Sequence, residues 1–300
     1  MAEPLSAFYS KAGPLRHLLL NNNGLGPAGG SIVANSIKEL AALKAVDPSL
    51  PPLETIVCGR NRLENGSMEA WAGACAAHKN LKTVKMVQNG IRPEGIDKLL
   101  RDGLSHCPGL LYLDLQDNTF TATGAEALAT VMPGWTKIEA LCVGDCLLSA
   151  RGGVLLGEAL KLDKTPALRK LSLQYNEIDI KGARTILTAL GNALPKLETL
   201  ELNGNKFSED DPVVEELREI FSERGFDGLD SLSDMEEETD EEDEEDDEER
   251  EAREEEEERA DRAAKFVKDA ERAEQQNVAQ EKDVNVDNLA DRLGATKIAA

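Results

Sequence analysis

Hydrophobic and polar residues alternate along the chain in a pattern that recurs seven times. Each copy fits the template L-x-x-L-x-L-x-x-N/C-x-L, in which apolar residues fill the L positions and asparagine or cysteine follows the apolar run. The copies begin at Leu15, Leu53, Leu81, Leu110, Ile138, Leu168 and Leu197. These starting positions lie 38, 28, 29, 28, 30 and 29 residues apart. Such a regular period predicts a repeat protein.

Each copy joins a short strand to a longer segment that favours a helix. The apolar template residues alternate with the period of two that a strand requires. Helices are predicted over residues 26–46, 66–78, 93–107, 124–132, 150–162, 181–194 and 211–224. One strand and one full helix in each unit predict an α/β leucine-rich-repeat horseshoe of the ribonuclease-inhibitor type. A parallel sheet should form its concave face and helices its convex face.

The asparagine or cysteine of the template marks what we call the ladder position. Its side chain should turn inward and satisfy backbone groups of the neighbouring turn. The ladder positions are Asn23, Asn61, Asn89, Asn118, Cys146, Asn176 and Asn205. The residue just before each of them, the rim position, should face solvent. The rim positions are Asn22, Arg60, Gln88, Asp117, Asp145, Tyr175 and Gly204.

The strands also have outward positions that the template leaves free. They are His17/Leu19, Thr55/Val57, Thr83/Lys85, Tyr112/Asp114, Ala140/Cys142, Lys170/Ser172 and Thr199/Glu201. Because these side chains are mixed in polarity and size, we expect the concave face to be open to a protein partner. Function is therefore expected at the outward strand positions and in the loops after the strands.

The net charge of -23 is concentrated near the C-terminus. Residues 230–258 contain 21 acidic residues and two basic ones. Such a run cannot bury enough apolar surface to fold, so it is expected to be disordered. We therefore predict a repeat domain over residues 1–229, an acidic tail over 230–259 and a weakly helical or disordered segment over 260–300.

Several chemistries find no support in the sequence. The three histidines fall in no motif that supplies a nucleophile or an acid, and no GxxxxGK[ST] loop occurs. Aromatic residues make up only 4% of the chain and no basic stripe is present, which argues against nucleic-acid binding. The five cysteines form no CxxC pair, so we predict no metal site and no cofactor. By elimination the chain is a binding protein and not an enzyme.

The start of the chain bears on its location. It has neither the basic start nor the apolar stretch of a signal peptide, and no apolar run of 18 residues occurs in the sequence. Buried, unpaired cysteines suit a reducing compartment. We expect a soluble intracellular protein located in the cytoplasm, with the nuclear envelope and the nucleus as further locations.

The loops after the strands are far more specific than the leucine template. They read NNNGLGP (21–27), CGRNRLENGSM (58–68), VKMVQNGIRPEGI (84–96), LDLQDNTFT (113–121), DCLLSARG (145–152), LQYNEI (173–178) and LELNGNKFSEDD (200–211). In order and spacing, and in the acidic run that follows, they closely resemble the Ran GTPase-activating protein family, particularly its fungal members. The resemblance covers about residues 3–245.

The resemblance implies a function and a set of site residues. In this family the horseshoe binds Ran in its GTP form along the rim and supports nucleocytoplasmic transport. It inserts no arginine finger; an asparagine helps to order Ran's own catalytic glutamine, and by motif match that asparagine is Asn22. Because phosphoryl transfer depends mostly on positioning and electrostatics, such assistance is physically sensible. The expected partner-binding residues are Arg60, Arg62, Gln88, Arg92, Gln116, Asp117, Asp145, Gln174 and Glu177.

One departure from the family pattern concerns the N-terminus. The family carries further repeats before the NNNGLGP loop, one of them with a Thr-Gly-Arg loop whose arginine is important for activity. Here only a short predicted helix over residues 5–11 precedes the first strand. We therefore expect an N-terminally shortened chain, with an uncovered first strand, that binds Ran but stimulates it poorly.

Two other classes of function stay open, as does the role of the tail. An acidic leucine-rich nuclear protein that binds histones or phosphatases would also combine repeats with an acidic tail, although such proteins typically use shorter units. A ribonuclease-inhibitor-like scaffold shares the unit size but does not explain the tail. The tail itself either keeps the protein in solution or attracts basic surfaces on Ran, on Ran-binding proteins or on transport factors.

Overall fold

The structure, a computed structural model, describes residues 13–236. Seven strands of three residues each form one parallel sheet in chain order. They are β1 His17–Leu19, β2 Thr55–Val57, β3 Thr83–Lys85, β4 Tyr112–Asp114, β5 Ala140–Cys142, β6 Lys170–Ser172 and β7 Thr199–Glu201. Corresponding template residues are register partners, as Leu18 is of Ile56 and Ile56 of Val84. The predicted repeat, its parallel sheet and its α/β horseshoe architecture are confirmed.

A helix follows every strand. The helices are α1 Gly26–Val46, α2 Met68–Ala77, α3 Pro93–Lys98, α4 Thr121–Val131, α5 Ser149–Leu160, α6 Ile180–Asn192 and α7 Pro212–Glu223. The predicted helix over 93–107 is less regular than its pattern suggests. After α3 the chain continues as a π-helical turn, Leu99–Gly103, and a 3-10 turn, Leu104–His106.

The core lies between the sheet and the helices and consists of the template residues. From the second repeat onward these apolar side chains are fully buried, as Ile56, Leu113 and Leu141 show with no exposed surface. Burial of one such side chain stabilises the fold by about 1.5 to 3 kcal/mol. In the first repeat the template leucines are only half-buried, and the outward Leu19 is 67% exposed.

Small residues bring neighbouring helices close together. A Cβ atom on Gly152 of α5 would lie 2.9 Å from the Cβ atom of Ala125 in α4. On the other side of α5, a Cβ atom on Gly157 would overlap the side chain of Thr185 in α6. These glycines therefore set the spacing between successive helices.

The ladder positions join successive repeats through hydrogen bonds. The Asn89 side-chain oxygen accepts from the Asn61 amide at 2.9 Å, and its Nδ2 donates to the Cys58 carbonyl at 2.8 Å. Asn118 continues the series by accepting from the Asn89 amide at 3.1 Å. Cys146 replaces the asparagine in the fifth repeat. Because burial raises the pKa of the Cys146 thiol to about 12, the thiol keeps its proton, and it contacts the Gly144 carbonyl at 3.3 Å.

The end of the repeat domain differs from its predicted position at residue 229. Residues beyond it pair with the last strand: the Leu200 amide donates to the Gly228 carbonyl at 2.7 Å, and the Asp230 amide donates to the Leu200 carbonyl at 3.2 Å. Leu232 is only 2% exposed. The edge of β7 and the burial of Leu232 therefore hold residues 230–236, which their charge alone had assigned to the tail. The packed part reaches at least Glu236, whose amide donates to the Asn205 carbonyl at 3.0 Å.

Some predictions fall elsewhere in the chain. It divides into two units, residues 1–238 and 239–300. The predicted helix over 5–11, the acidic run beyond residue 236 and the segment 260–300 lie outside the described residues. Within residues 13–236, no helix is long and apolar enough to cross a membrane, and no cluster of histidine, cysteine and carboxylate side chains could hold a metal ion. All five cysteines are buried and unpaired, as predicted.

Candidate partner-binding rim

The backbone adopts the same left-handed conformation at every rim position. From Asn22 to Gly204 the seven φ angles lie between 54° and 71°. For residues other than glycine this conformation costs about 1 to 2 kcal/mol, so the structure around it must enforce it. In the first six repeats the rim amide donates to a carbonyl of the next repeat at 2.8 to 3.1 Å. The turn therefore has a fixed backbone, which leads the chain inward to the ladder position.

Five rim side chains are left free by this arrangement. Asn22, Arg60, Gln88 and Asp145 are exposed, and Asp117 is half-buried. Among residues 13–236, none of these five side chains makes a hydrogen bond or an ion pair. They form a row along one edge of the sheet, each on a fixed backbone and each available to a second molecule. We call this set the free rim.

The three consecutive asparagines at the first turn have different surroundings. The Asn21 side-chain oxygen accepts from the Gly59 amide at 2.6 Å. The Asn23 side chain donates to the Leu20 and Asn21 carbonyls at 2.7 and 3.1 Å. Both side chains thus serve the fold, while that of Asn22 has no partner within the described residues. The structural role of Asn21 was not predicted, and its only signal in the sequence is its place directly after the template residue Leu20.

An open depression of about 800 Å³ runs between the rim loops of the second to fifth repeats. Its lining includes the predicted residues Arg60, Arg62, Gln88, Asp117 and Asp145, together with Glu64, Thr119 and Leu147, which were not predicted. Arg60, Arg62 and Glu64 lie on the second loop, which is net positive, and Asp117 and Asp145 lie on the fourth and fifth. The depression is therefore positive at one end and negative at the other.

Leu147 is an apolar residue in this polar surface. It is 47% exposed and lies in a left-handed turn with φ of 54°. The position that it occupies, directly after the ladder residue, holds Gly24, Arg62 and Gly90 in earlier repeats. An alignment of the repeats places Leu147 directly after the ladder residue and therefore predicts an exposed position. The leucine template predicts only the buried leucines.

The concave face is less open than predicted. Asp114, Ala140, Cys142 and Ser172, four of the predicted outward residues, are buried, with exposures of 8%, 7%, 1% and 0%. Side chains of neighbouring strands meet here: the Tyr112 hydroxyl lies 3.7 Å from the Cys142 sulfur, and the Ser172 hydroxyl donates to the same sulfur at 3.6 Å. Burial raises the pKa of Tyr112 and also that of Cys142. This part of the face is therefore closed by its own side chains.

Four predicted partner-binding residues lie outside the depression. Gln116 and Gln174 bond to each other, with Nε2 of Gln174 donating to Oε1 of Gln116 at 2.8 Å. Glu177 pairs with Lys206 at 3.4 Å. Arg92 is exposed just before α3, and its amide donates to the Asn65 side chain at 2.8 Å. The two glutamines and Glu177 are thus already engaged within the fold.

The free rim ends before the sixth repeat, where the rim side chain is bonded to a later part of the chain. The Tyr175 hydroxyl donates to the Asp234 carboxylate at 2.8 Å, and Nδ2 of Asn203 donates to the same oxygen at 3.0 Å. These hydrogen bonds, led by that from Tyr175, lower the pKa of Asp234. The free rim therefore extends from Asn22 to Asp145.

Comparisons with known proteins agree with this architecture. Residues 106–129 match the family model described as leucine-rich repeat. The chain is 40% identical over 226 residues to Ran GTPase-activating protein 1 of Saccharomyces cerevisiae, a match that covers 74% of this chain and 55% of that protein. It is 32% identical over 209 residues to Ran GTPase-activating protein of Drosophila melanogaster, covering 69% of this chain and 34% of that protein.

A more distant relative has the same kind of repeat. Ribonuclease inhibitor of Sus scrofa is 25% identical over 223 residues, which are 74% of this chain and 46% of that protein. The chain thus spans about half the length, or less, of these three curated relatives. The higher identity and the loop motifs both point to the Ran GTPase-activating proteins. The chain belongs to the Ran GTPase-activating protein family.

Proposed function

We propose that this chain is a GTPase activator for the small GTPase Ran and that it binds Ran in its GTP form through the free rim. The observation that carries the proposal is the row of five unpaired side chains, each held on a left-handed backbone that the fold itself fixes. A side chain that makes no contact within the fold is available to contact a partner. The relatives named as activators of Ran supply the identity of that partner.

Asn22 is the residue that we propose to assist catalysis. Its amide group offers both a donor and an acceptor without adding charge. Its backbone N–H donates to the Gly59 carbonyl at 3.0 Å, so the side chain projects from a fixed point. Ran supplies the residues that position the attacking water, and Asn22 orders them. Such positioning lowers the barrier because less freedom has to be lost in the transition state. The chain then needs no active site of its own.

The charges of the depression suggest how the partner is oriented. Arg60 and Arg62 would face acidic groups, whereas Asp117 and Asp145 would face basic ones. Opposite charges at the two ends of one surface favour a single orientation of the bound protein and accelerate its association. Leu147, on the same loop as Asp145, would add an apolar contact with the partner at the acidic end.

Single-turnover hydrolysis of GTP on Ran tests the role of Asn22. We expect Asn22→Ala to lower the maximal rate by about 100- to 1000-fold, the loss seen when one positioning donor is removed, while affinity for Ran-GTP changes little. Asn192→Ala, at an exposed asparagine at the end of α6, is the matched control and should leave the rate unchanged. Equal rates for Asn22→Ala and the unaltered chain would remove Asn22 from the mechanism.

The acidic run is proposed to assist this function by attracting basic surfaces on Ran or on transport factors. Its charge of about -19 over residues 230–258 supports a long-range effect that salt would weaken. Replacement of residues 240–249 by the corresponding amides in the full chain should slow association with Ran-GTP at low salt and have little effect at high salt. An unchanged association rate at low salt would leave the run without this role.

We further propose that the protein acts in the cytoplasm, with the nuclear envelope and the nucleus as additional locations. Fluorescence microscopy of a tagged full chain would test this. The two other functional classes are not favoured. The helices of the repeats are those of a long unit, 28 residues or more, whereas acidic leucine-rich nuclear proteins typically use shorter ones. The ribonuclease inhibitor is the less similar relative.

A further inference from the structure

Asparagine is followed directly by glycine at four places in the sequence, residues 23–24, 65–66, 89–90 and 203–204. In such a pair the backbone nitrogen of the glycine can attack the side-chain carbonyl carbon of the asparagine, because glycine has no Cβ atom to hinder the approach. The reaction requires an asparagine side chain that can leave its hydrogen bonds and is open to water. The four pairs differ in both respects.

At three of the pairs the asparagine side chain is held through both its oxygen and its nitrogen. The Asn89 oxygen accepts from the ladder amide of the preceding repeat at 2.9 Å, and its Nδ2 donates to two carbonyls at 2.8 and 3.0 Å. The Asn65 side chain accepts from a backbone amide and donates to a carboxylate, both at 2.8 Å. That of Asn203 accepts from the amide of Asp234 and donates to its carboxylate, both at 3.0 Å. Asn89 is buried, and the other two are half-buried.

Asn23 is held through its nitrogen alone and is exposed. Its Nδ2 donates to the Leu20 and Asn21 carbonyls, but its oxygen has no hydrogen-bond partner among residues 13–236. In the later ladder asparagines this oxygen accepts from the ladder amide of the preceding repeat, and the described part of the chain has no ladder residue before Asn23. The Gly24 amide is likewise unbonded there, and no atom lies within 4 Å of the place of a Cβ atom on Gly24.

We infer that Asn23 is a site of spontaneous deamidation, and that the fold protects the other three asparagines. In the first step the Gly24 nitrogen forms a bond to Cγ of Asn23, and the Cγ–Nδ2 bond breaks. The proton of the Gly24 amide passes through water to the leaving nitrogen, ammonia departs and a five-membered succinimide remains. Water then opens this ring. Opening at Cγ gives aspartate, and opening at the backbone carbonyl carbon gives isoaspartate.

Conversion of Asn23 loosens the turn that carries Asn22. A carboxylate at position 23 has no hydrogen to donate, so the hydrogen bonds to the Leu20 and Asn21 carbonyls are lost and its charge faces these oxygens. Isoaspartate also adds one carbon atom to the main chain between the rim position and α1. This inference goes beyond the proposed activation of Ran and does not depend on it, because mass and hydrogen exchange report it without a partner.

Incubation of the full chain at neutral pH, followed by tryptic digestion and fragmentation in a mass spectrometer, tests the site. The four pairs lie on different tryptic peptides, residues 17–38, 63–79, 86–98 and 197–206. We expect conversion at residue 23 to be at least about tenfold faster than at residues 65, 89 and 203, the ratio that 1.4 kcal/mol produces. In urea, which removes the fold, the four rates should be similar. Equal rates in the folded chain, or the same preference for residue 23 in urea, would overturn the inference.

Hydrogen exchange at the Asn22 amide, which donates to the Gly59 carbonyl, tests the loosening of the turn. Asn23→Asp imitates one product and should accelerate this exchange by about tenfold or more. Asn23→Cys is the matched control, because Cys146 occupies the ladder position of the fifth repeat and its sulfur contacts the two corresponding carbonyls at 3.5 and 3.3 Å. It should exchange like the unaltered chain. Unchanged exchange in Asn23→Asp, or equal acceleration in both variants, would overturn the effect assigned to the carboxylate.

Discussion

The ladder position and the rim position are adjacent in every repeat, yet the fold uses their side chains in opposite ways. Asn89 is 1% exposed, and its side chain bonds to the Asn61 amide and the Cys58 carbonyl. Gln88, an amide of similar chemistry, is exposed and makes no side-chain hydrogen bond within residues 13–236. Gln88 contributes to the fold through its backbone amide, which donates to the Gln116 carbonyl at 3.0 Å.

This difference separates residues selected for folding from residues free to serve a partner. At the ladder position a different side chain leaves buried backbone groups without hydrogen bonds. At the rim position any side chain that tolerates φ near 55° preserves the fold. Asparagine, arginine, glutamine, aspartate and tyrosine all occur there. This variety is consistent with a surface on which binding to a partner, and not folding, determines the choice of side chain.

The largest expected effect comes from exchanging the two amides for alanine. Asn89→Ala leaves the buried Asn61 amide and Cys58 carbonyl unpaired, so the free energy of unfolding should fall by about 2 to 5 kcal/mol. Gln88→Ala removes no contact and should change it by less than about 0.5 kcal/mol. Urea unfolding followed by circular dichroism measures both values. A similar loss for the two variants would break the distinction between ladder and rim.

Next in size is the effect of reversing the acidic end of the free rim. Asp117→Lys with Asp145→Lys should weaken binding of Ran-GTP by about tenfold or more, mainly through slower association at low salt. Glu216→Lys with Glu219→Lys makes the same change of charge on exposed residues of α7 and serves as the control. Surface plasmon resonance at two salt concentrations gives the rates. If the control weakened binding equally, net charge and not the rim would be responsible.

A smaller effect, of the opposite sign for stability, is expected from Arg60→Gly. Its φ of 55° is disfavoured for arginine and accessible to glycine. The variant should therefore gain about 0.5 to 1 kcal/mol in stability. It should also bind Ran-GTP more weakly, because a cation of the rim is lost. Thermal unfolding together with a binding titration measures the two changes. A loss of stability would show that the Arg60 side chain supports the fold.

The smallest effect concerns pH and another buried polar group. His78 is 5% exposed, its Nε2 lies 2.8 Å from the Ile37 carbonyl, and burial lowers its pKa below the usual 6.5. The unfolded chain therefore takes up the proton more readily, so stability should be full above pH 6.5 and decline as pH falls through the window below it. His78→Gln keeps a donor for Ile37 without titrating in this range. Unfolding curves from pH 7.5 to 5.5 should show a smaller decline for this variant.

The sequence itself determined the repeat architecture. The apolar spacing of the template places Leu113 and Leu141 in the core and Asn89 in the ladder, because a strand followed by an inward turn leaves these side chains no other environment. The same register identified the rim positions one residue earlier. The loop motifs identified the family, as the comparisons with known proteins confirm. The roles of the individual rim side chains stay predictions.

Only the tertiary structure decided which free positions are open. Asp114, Cys142 and Ser172 have outward registers but are buried. Side chains of different strands meet here: the Tyr112 hydroxyl of β4 lies 3.7 Å from the Cys142 sulfur of β5, a contact between repeats that no local pattern contains. Asn21 resembles its two neighbours in sequence, and only the approach of Gly59 gives it a partner. Residues 230–236 belong to the acidic run in sequence, and only the pairing with the edge of β7 and the burial of Leu232 join them to the repeat domain. In each case the deciding atoms come from a distant part of the chain.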